Sequence, residues 1–261
     1  MKVAIVQGSP IMFDKEANAR KILEAVERYD ADLYVFGELF FTGYMIKNHV
    51  MHLSEDLKDP SEELKALEEK FIEKKKYGIV GIPESGEGRR HFNSALVLGP
   101  SGIIGVYRKR KLPNFGPFRE YMYFSPGSSP FCFEVKGAKI GVQICYDIFF
   151  PEISAEYRDL GIDVLVTISA SPVTSRPLFE KLIPARAIET AAYHVYVNLV
   201  GTEEDLLFWG GSRVCSPTGN ELVKCKYYQE EAKVVELDLK RLEVFRQFRP
   251  VLRDSKMGID K

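Results

Sequence analysis

The chain has 261 residues, with 36 Lys and Arg against 37 Asp and Glu, for a formal charge of −1. That balance excludes the strongly basic field of a nucleic-acid binder and the cationic face of a protein held on acidic lipid. At 45% hydrophobic, with no apolar run of membrane-spanning length, the sequence predicts one α/β domain over 1–261 with its own core, in the cytoplasm.

The N-terminal "MKVAIVQGSP" has too few consecutive apolar residues for a secretory signal, and Val3 to Gln7 reads as the first buried strand. A helix follows through "DKEANARKILEAVERYD", where Ala19, Ile22, Leu23 and Val26 recur at helical spacing. Leu33 to Phe36 is a short buried strand, and Ser61 opens a second helix reaching Lys76. "GIVGIP" is the next strand, ending at the loop "ESGEGRR". "NSALVLG" and "GIIGVYRK" form a hairpin across Pro100 and Ser101, and "PFCFEV" pairs with "KIGVQIC" across Lys136 to Ala138.

A helix over Pro151 to Leu160, a strand Val164 to Ile168, a helix over Leu178 to Ala192 and a strand Val195 to Val200 continue the alternation. A hairpin at "PTGN" and a late strand in "KVVELDL" complete it. Hairpins mixed with helix-separated strands predict mixed sheets covered by helices. There is no internal repeat, low-complexity tract or linker. "SEELKALEEKFIEKKK" interleaves acidic and basic residues, and Asn and Gln number ten in all, a composition that points to a thermophilic source.

Three chemically capable residues lie just beyond buried strands: Glu38 in "YVFGELFFTGY", Lys109 in "GVYRKRKLPNFGPFRE" and Cys145 in "GVQICYDIFFPE". Taken singly, each has an ordinary structural explanation. Glu38 caps a turn, Lys109 belongs to a solvated basic face with Arg108, Arg110 and Lys111, and Cys145 is a small core hydrophobe. The remaining cysteines, Cys132, Cys215 and Cys225, lack C-x-x-C spacing and read as free thiols. His49 and His52 have i,i+3 spacing but no third ligand; His91 sits in a loop and His194 begins a buried strand. No Gly-rich phosphate loop is present, so no metal and no cofactor is expected.

Taken together, the three segments resemble the signatures of the nitrilase, or carbon–nitrogen hydrolase, superfamily: a Glu in a "PEL…TGY" context, a Lys in "YRKxxLP" and a Cys in "GxxICYDxxFPE". The likeness extends through "FNSALVLGPSG", "YFSPG", "PARAIE" and "FWGGSRV". Gly37 departs from it, standing where many relatives have Pro. The resemblance implies an α-β-β-α sandwich of two mixed sheets, assembled as a homodimer or higher homo-oligomer with the C-terminal tail crossing the partner. The tail here, "RQFRPVLRDSKMGIDK", is too polar to pack alone as a core element and is equally compatible with disorder.

The resemblance also implies roles. Cys145 would attack an amide carbon, Glu38 would take and return protons, and Lys109 with the Tyr146 N–H would meet the oxyanion. Glu120, eleven residues after Lys109, matches a fourth acidic position that orients substrate or the Lys. The chemistry is coherent without the family, because a free thiol is only a few per cent thiolate at neutral pH and needs a base.

Within the superfamily the sequence is similar to free-standing amidases and to the glutaminase domain of glutamine-dependent NAD synthetase. By that similarity Tyr44, Phe115 and Phe118 wall the pocket, while Ser171 and Arg176 face a substrate carboxylate. Tyr146 replaces the acidic residue that usually follows the nucleophile in glutaminase domains. Arg176 is displaced by one from the matching Arg, with Pro177 in its place. With no ligase segment after residue 261, the expectation is a stand-alone amidase acting on a small-molecule amide, with N-carbamoyl amine hydrolysis and ammonia supply to a synthetase as alternatives. Neither nucleic acid nor membrane is expected as a partner.

Overall fold

A computed structural model describes residues 1–255. β1 (Lys2–Gln7) leads into α1 (Lys15–Arg28), whose Asp14 cap accepts from the Ala17 N–H at 2.9 Å. β2 (Leu33–Val35), a one-turn α2 (Val50–Leu53) and α3 (Glu62–Lys74) follow; the Ser61 hydroxyl caps α3, and Lys75 ends it in the left-handed region. β3 (Tyr77–Gly86), β4 (Arg90–Gly99) and β5 (Gly102–Arg108) form a meander, and β6 (Cys132–Val135) with β7 (Ala138–Ile144) a hairpin. α4 (Pro151–Asp159), β8 (Val164–Ser169), α5 (Arg176–Thr190) and β9 (Tyr193–Asn198) then alternate. The chain finishes with β10 (Val200–Glu203), β11 (Leu206–Trp209), β12 (Arg213–Cys215), β13 (Glu221–Lys224), β14 (Glu231–Glu236), α6 (Leu239–Phe248) and α7 (Val251–Asp254).

These strands make two six-stranded mixed sheets, ordered β14-β1-β2-β3-β4-β5 and β13-β12-β9-β8-β7-β6, and a separate β10–β11 hairpin. In each sheet the three central strands run parallel and the outer ones antiparallel. Alternation along the strands decides what each face covers. Val3, Ile5, Val35 and Val97 of the first sheet meet Val142, Ile144, Val166 and Val195 of the second in a shared core. The reverse face of the first sheet packs Tyr34 and Leu96 under Ile22, Val26, Leu64 and Phe71 of α1 and α3. The reverse face of the second places Tyr196 and Cys215 under Phe179, Ile183 and Ala187 of α5. The architecture is the expected α-β-β-α sandwich.

The differences from the sequence expectation are local. β3 and β4 run on into "ESGEGRR", leaving only Glu87–Arg89 at the tip. α5 starts at Arg176, because Pro177 falls in the first turn, where its missing N–H costs nothing. The β10–β11 hairpin was not anticipated, since its acidic turn masks the alternation. The start of the polar tail is not loose. Arg246 in α6 donates to the Ala191 and Ile162 carbonyls and to Asp163 at 2.7 Å, anchoring that helix on its own chain. The last six residues of the tail, 256–261, lie outside the described residues.

Candidate active site

Glu38 sits three residues beyond β2, on a turn tightened by Leu39 at φ 49°. The turn lies hard against β3: a Cβ on Gly81 would come within 2.3 Å of the Leu39 nitrogen and 2.5 Å of the Gly37 carbonyl, so only glycine fits there. Gly37 itself faces Leu199, whose Cδ2 would be 2.4 Å from an added Cβ. The carboxylate is fully buried and held from both sheets. Its Oε1 accepts from Asn93 Nδ2 at 2.8 Å and Lys109 Nζ at 2.6 Å, and its Oε2 accepts from the Ala170 N–H at 2.7 Å.

Lys109 leaves the end of β5 with its backbone pinned on both sides: its N–H donates to Asn93 O, and its carbonyl accepts from the Gly127 N–H, each at 2.8 Å. Its ammonium also donates to Glu120 Oε1 at 2.6 Å, and that oxygen accepts from the Tyr44 hydroxyl at 2.6 Å. A buried cation between two buried carboxylates is tolerable because each partner supplies what water would have. Burial works against the Lys109 charge, but Glu120 and Glu38 outweigh it and hold the ammonium above its ordinary value. Burial, opposed by Lys109 and reinforced by Glu38, pushes Glu120 up to about 7. Glu120 Oε2 has no hydrogen-bond partner.

Cys145 follows the last residue of β7 at φ 45°, a left-handed conformation that is strained for a residue with a Cβ and that turns the chain sharply into a short helical segment. Asp147 locks this elbow. Its carboxylate accepts from the Ile144 N–H at 3.0 Å, the Lys111 N–H at 2.9 Å and the Tyr107 hydroxyl at 2.8 Å, tying the cysteine's turn to the segment that carries Lys109. The residue is partly open to solvent. Burial of the sulfur and the Glu38 carboxylate, against the pull of Lys109, push its thiol well up. It therefore rests protonated near the Glu38 carboxylate.

The candidate pocket residues form one aromatic wall. Tyr44 meets Phe118 edge-on at 6.3 Å between ring centroids, Phe118 meets Phe115 at 5.4 Å, and Phe115 meets Tyr146 at 5.4 Å. Tyr44, Phe118 and Glu120 also border a small cleft with Lys47, Arg119 and Tyr123. Ser171 is buried, its hydroxyl accepting from Trp209 Nε1 at 3.2 Å. Arg176 is set apart. It stacks on Tyr227 at 3.8 Å and donates to Glu180 at 3.3 Å, and among the described residues it has no recorded contact with Glu38, Lys109, Glu120 or Cys145.

Asn93 and Asp147 were missed as site residues by the sequence reasoning. Each stood inside a quoted motif, a polar residue in an apolar run with no local partner, and that was the available signal. The histidines take other positions. His194 Nδ1 donates to Ile183 O (2.8 Å), its Nε2 pairs with Thr167 Oγ1 (2.7 Å), and burial lowers it to about 4. His91 pairs with the Ser54 hydroxyl, and His49 packs on Phe13. Among the described residues no group of three or more His, Cys, Asp or Glu side chains is placed to hold a metal ion, and no helix is long and apolar enough to cross a membrane.

The carbon-nitrogen hydrolase family model matches residues 2–247. The chain belongs to that family. A nitrilase from Pyrococcus abyssi is 34% identical over 92% of this chain and 90% of its own length. A glutamine-dependent NAD(+) synthetase from Thermotoga maritima is also 34% identical over 92% of this chain, but the match spans only 42% of the synthetase. The crystal structure of an amidase from Nesterenkonia sp. superposes with a TM-score of 0.81 at 26% identity, covering 95% of this chain and 96% of that one. The protein is a hydrolase of that family, acting on carbon–nitrogen bonds other than peptide bonds.

Proposed function

We propose that the protein is an amidohydrolase that releases ammonia from a small carboxamide through a thioester on Cys145. The observation that carries this reading is the buried Glu38–Lys109–Glu120 cluster beside a strained, partly open cysteine. Glu38 takes the thiol proton as sulfur attacks the carbonyl carbon. The C=O π pair moves onto oxygen, where Lys109 and the Tyr146 N–H meet it; one such donor is worth on the order of a hundred- to a thousand-fold in turnover. Collapse breaks the C–N bond, Glu38 returns its proton to the departing nitrogen, and ammonia leaves. Glu38 then removes a proton from water, which attacks the thioester and regenerates the thiol. Glu120 keeps Lys109 charged and aimed, and the wall of Tyr44, Phe118, Phe115 and Tyr146 shapes the acyl site.

The test is ammonia release from a panel of carboxamides by the wild type and by Cys145→Ala and Glu38→Gln variants. Undiminished release by either variant overturns the assignment, and mass spectrometry of the intact chain after exposure to the panel is expected to show an acyl increment on Cys145. The likeness to a glutamine-dependent synthetase favours a second reading, in which the chain supplies ammonia from glutamine to a synthetase. Glutaminase activity that arises only after a synthetase is added would support it. N-carbamoyl amines use the same chemistry and are distinguished by release of carbon dioxide together with ammonia. The homo-oligomer that the resemblance implies is checked by light scattering.

A further inference from the structure

The resting site is short of donors for the thiolate it must form. Of the three N–H bonds of the Lys109 ammonium, one is directed to Glu38 and one to Glu120, and the third is the donor for the oxyanion. The titratable groups close enough to act electrostatically on Cys145 are Glu38, Lys109, Glu120, Tyr44 and Tyr196, and only Lys109 among them is cationic. The negative charge left on sulfur after Glu38 takes the proton therefore needs a neutral donor.

Ser169 is in position to supply one. β7 and β8 are parallel, with Ile144 paired to Ile168, so the next residues, Cys145 just past β7 and Ser169 at the end of β8, lie side by side. The Ser169 backbone is fixed there, its carbonyl accepting from the Glu38 N–H at 3.3 Å and the Leu199 N–H at 3.1 Å. Its hydroxyl is buried within reach of the thiol but makes no well-directed hydrogen bond. Within reach of it lies a second buried hydroxyl without a well-directed partner, that of Tyr196, which also neighbours Ser171 and whose ring is clamped between Trp209 at 5.8 Å and Phe179 at 5.7 Å. Burying two unpaired hydroxyls beside a nucleophile is unfavourable unless another state uses them.

We propose that the Ser169 hydroxyl donates to the Cys145 thiolate as Glu38 withdraws the proton, and that the Tyr196 hydroxyl supports it by donating to Ser169. No proton changes hands beyond the one Glu38 takes. Ser169 touches the reacting sulfur, and Tyr196 is a positioning residue that acts through it. The inference rests on Cys145 being the nucleophile, but its test needs no amide substrate.

The experiment is the rate of Cys145 alkylation by iodoacetamide across pH in the wild type, Ser169→Ala, Ser169→Thr and Tyr196→Phe. The high-pH plateau reports access to sulfur, and the midpoint reports thiolate stability. Ser169→Ala is expected to raise the midpoint by about one pH unit, for about tenfold slower alkylation below it, with the plateau retained. Ser169→Thr, which keeps the hydroxyl, is expected to restore the midpoint, and Tyr196→Phe to raise it by less. If Ser169→Ala does not fold, the Tyr196→Phe midpoint decides. A midpoint unmoved in every folded variant overturns the proposal and leaves the hydroxyls as holders of a buried water. Continued amide hydrolysis by Cys145→Ala would instead overturn the function itself, so the two failures are distinct.

Discussion

Replacing Lys109 by Met removes the one cation of the buried cluster while keeping most of its volume. At 2.6 Å, each ion pair carries roughly 6 kcal/mol of Coulomb attraction at an effective dielectric constant of about 20, much of it offset by the desolvation of three charges. Without the ammonium, Glu120 loses the partner that opposed its burial and stays protonated in the fold. A carboxyl protonated in the native state and ionised in the unfolded one lowers stability by about 1.4 kcal/mol for each pH unit above its unfolded value. Because Glu120 already stands at about 7 with Lys109 present, that linkage separates variant from wild type only as pH rises above 7, and the loss at neutral pH is the about 3–5 kcal/mol typical of breaking a buried pair. The expected fall in melting temperature is roughly 6–10 °C at neutral pH, growing as pH is raised further. Calorimetry from neutral to mildly alkaline pH on the wild type, Lys109→Met and Lys109→Met/Glu120→Gln measures it. The double variant is expected to regain much of the stability while remaining inactive. A single variant as stable as wild type at neutral pH, or a loss that Glu120→Gln does not reduce, would refute the picture of a cation holding two buried carboxylates.

Two further outcomes follow from the geometry. Gly81→Ala presses a methyl into the backbone of the Glu38 turn, which cannot move aside as a side chain would; it is expected to lower stability by about 1–3 kcal/mol and turnover by a larger factor, read from denaturant midpoints and ammonia release. His194 is held neutral, at about 4 when folded against 6.5 ordinarily, so its contribution is complete above 6.5 and is lost as pH falls towards 4, up to about 3 kcal/mol. His194→Gln is expected to flatten that acid limb in urea unfolding at a series of pH values; an unchanged limb would refute the assignment.

Much of the molecule was legible from residue order alone. The 3.6-residue spacing of Ile22 and Val26, the Ser61 cap and the apolar runs of Val164 to Ile168 and Val195 to Val200 are short-range signals, and each forms the element they predict. The Glu38, Lys109 and Cys145 motifs were equally plain, because each keeps its chemical residue at the end of a strand. The buried ladder His194–Thr167–Gln143, the acidic β10–β11 turn and the docking of Arg246 were not. Their partners are far apart in the chain, and no local pattern encodes them.

Sequence by itself determined most of the strand and helix order, the apolar faces and the candidate side chains for the chemistry, since these depend on periodicity and residue chemistry within a few neighbours. Tertiary structure alone decided that one ammonium stands between Glu38 and Glu120, that Asp147 ties the cysteine's turn to the lysine's segment, and that Arg176 turns to Tyr227. The Glu38–Lys109 pair joins the ends of β2 and β5 within one sheet, and the Asp147–Lys111 bond joins the two sheets. Only the register of the strands and the packing of one sheet on the other bring these groups within bonding distance.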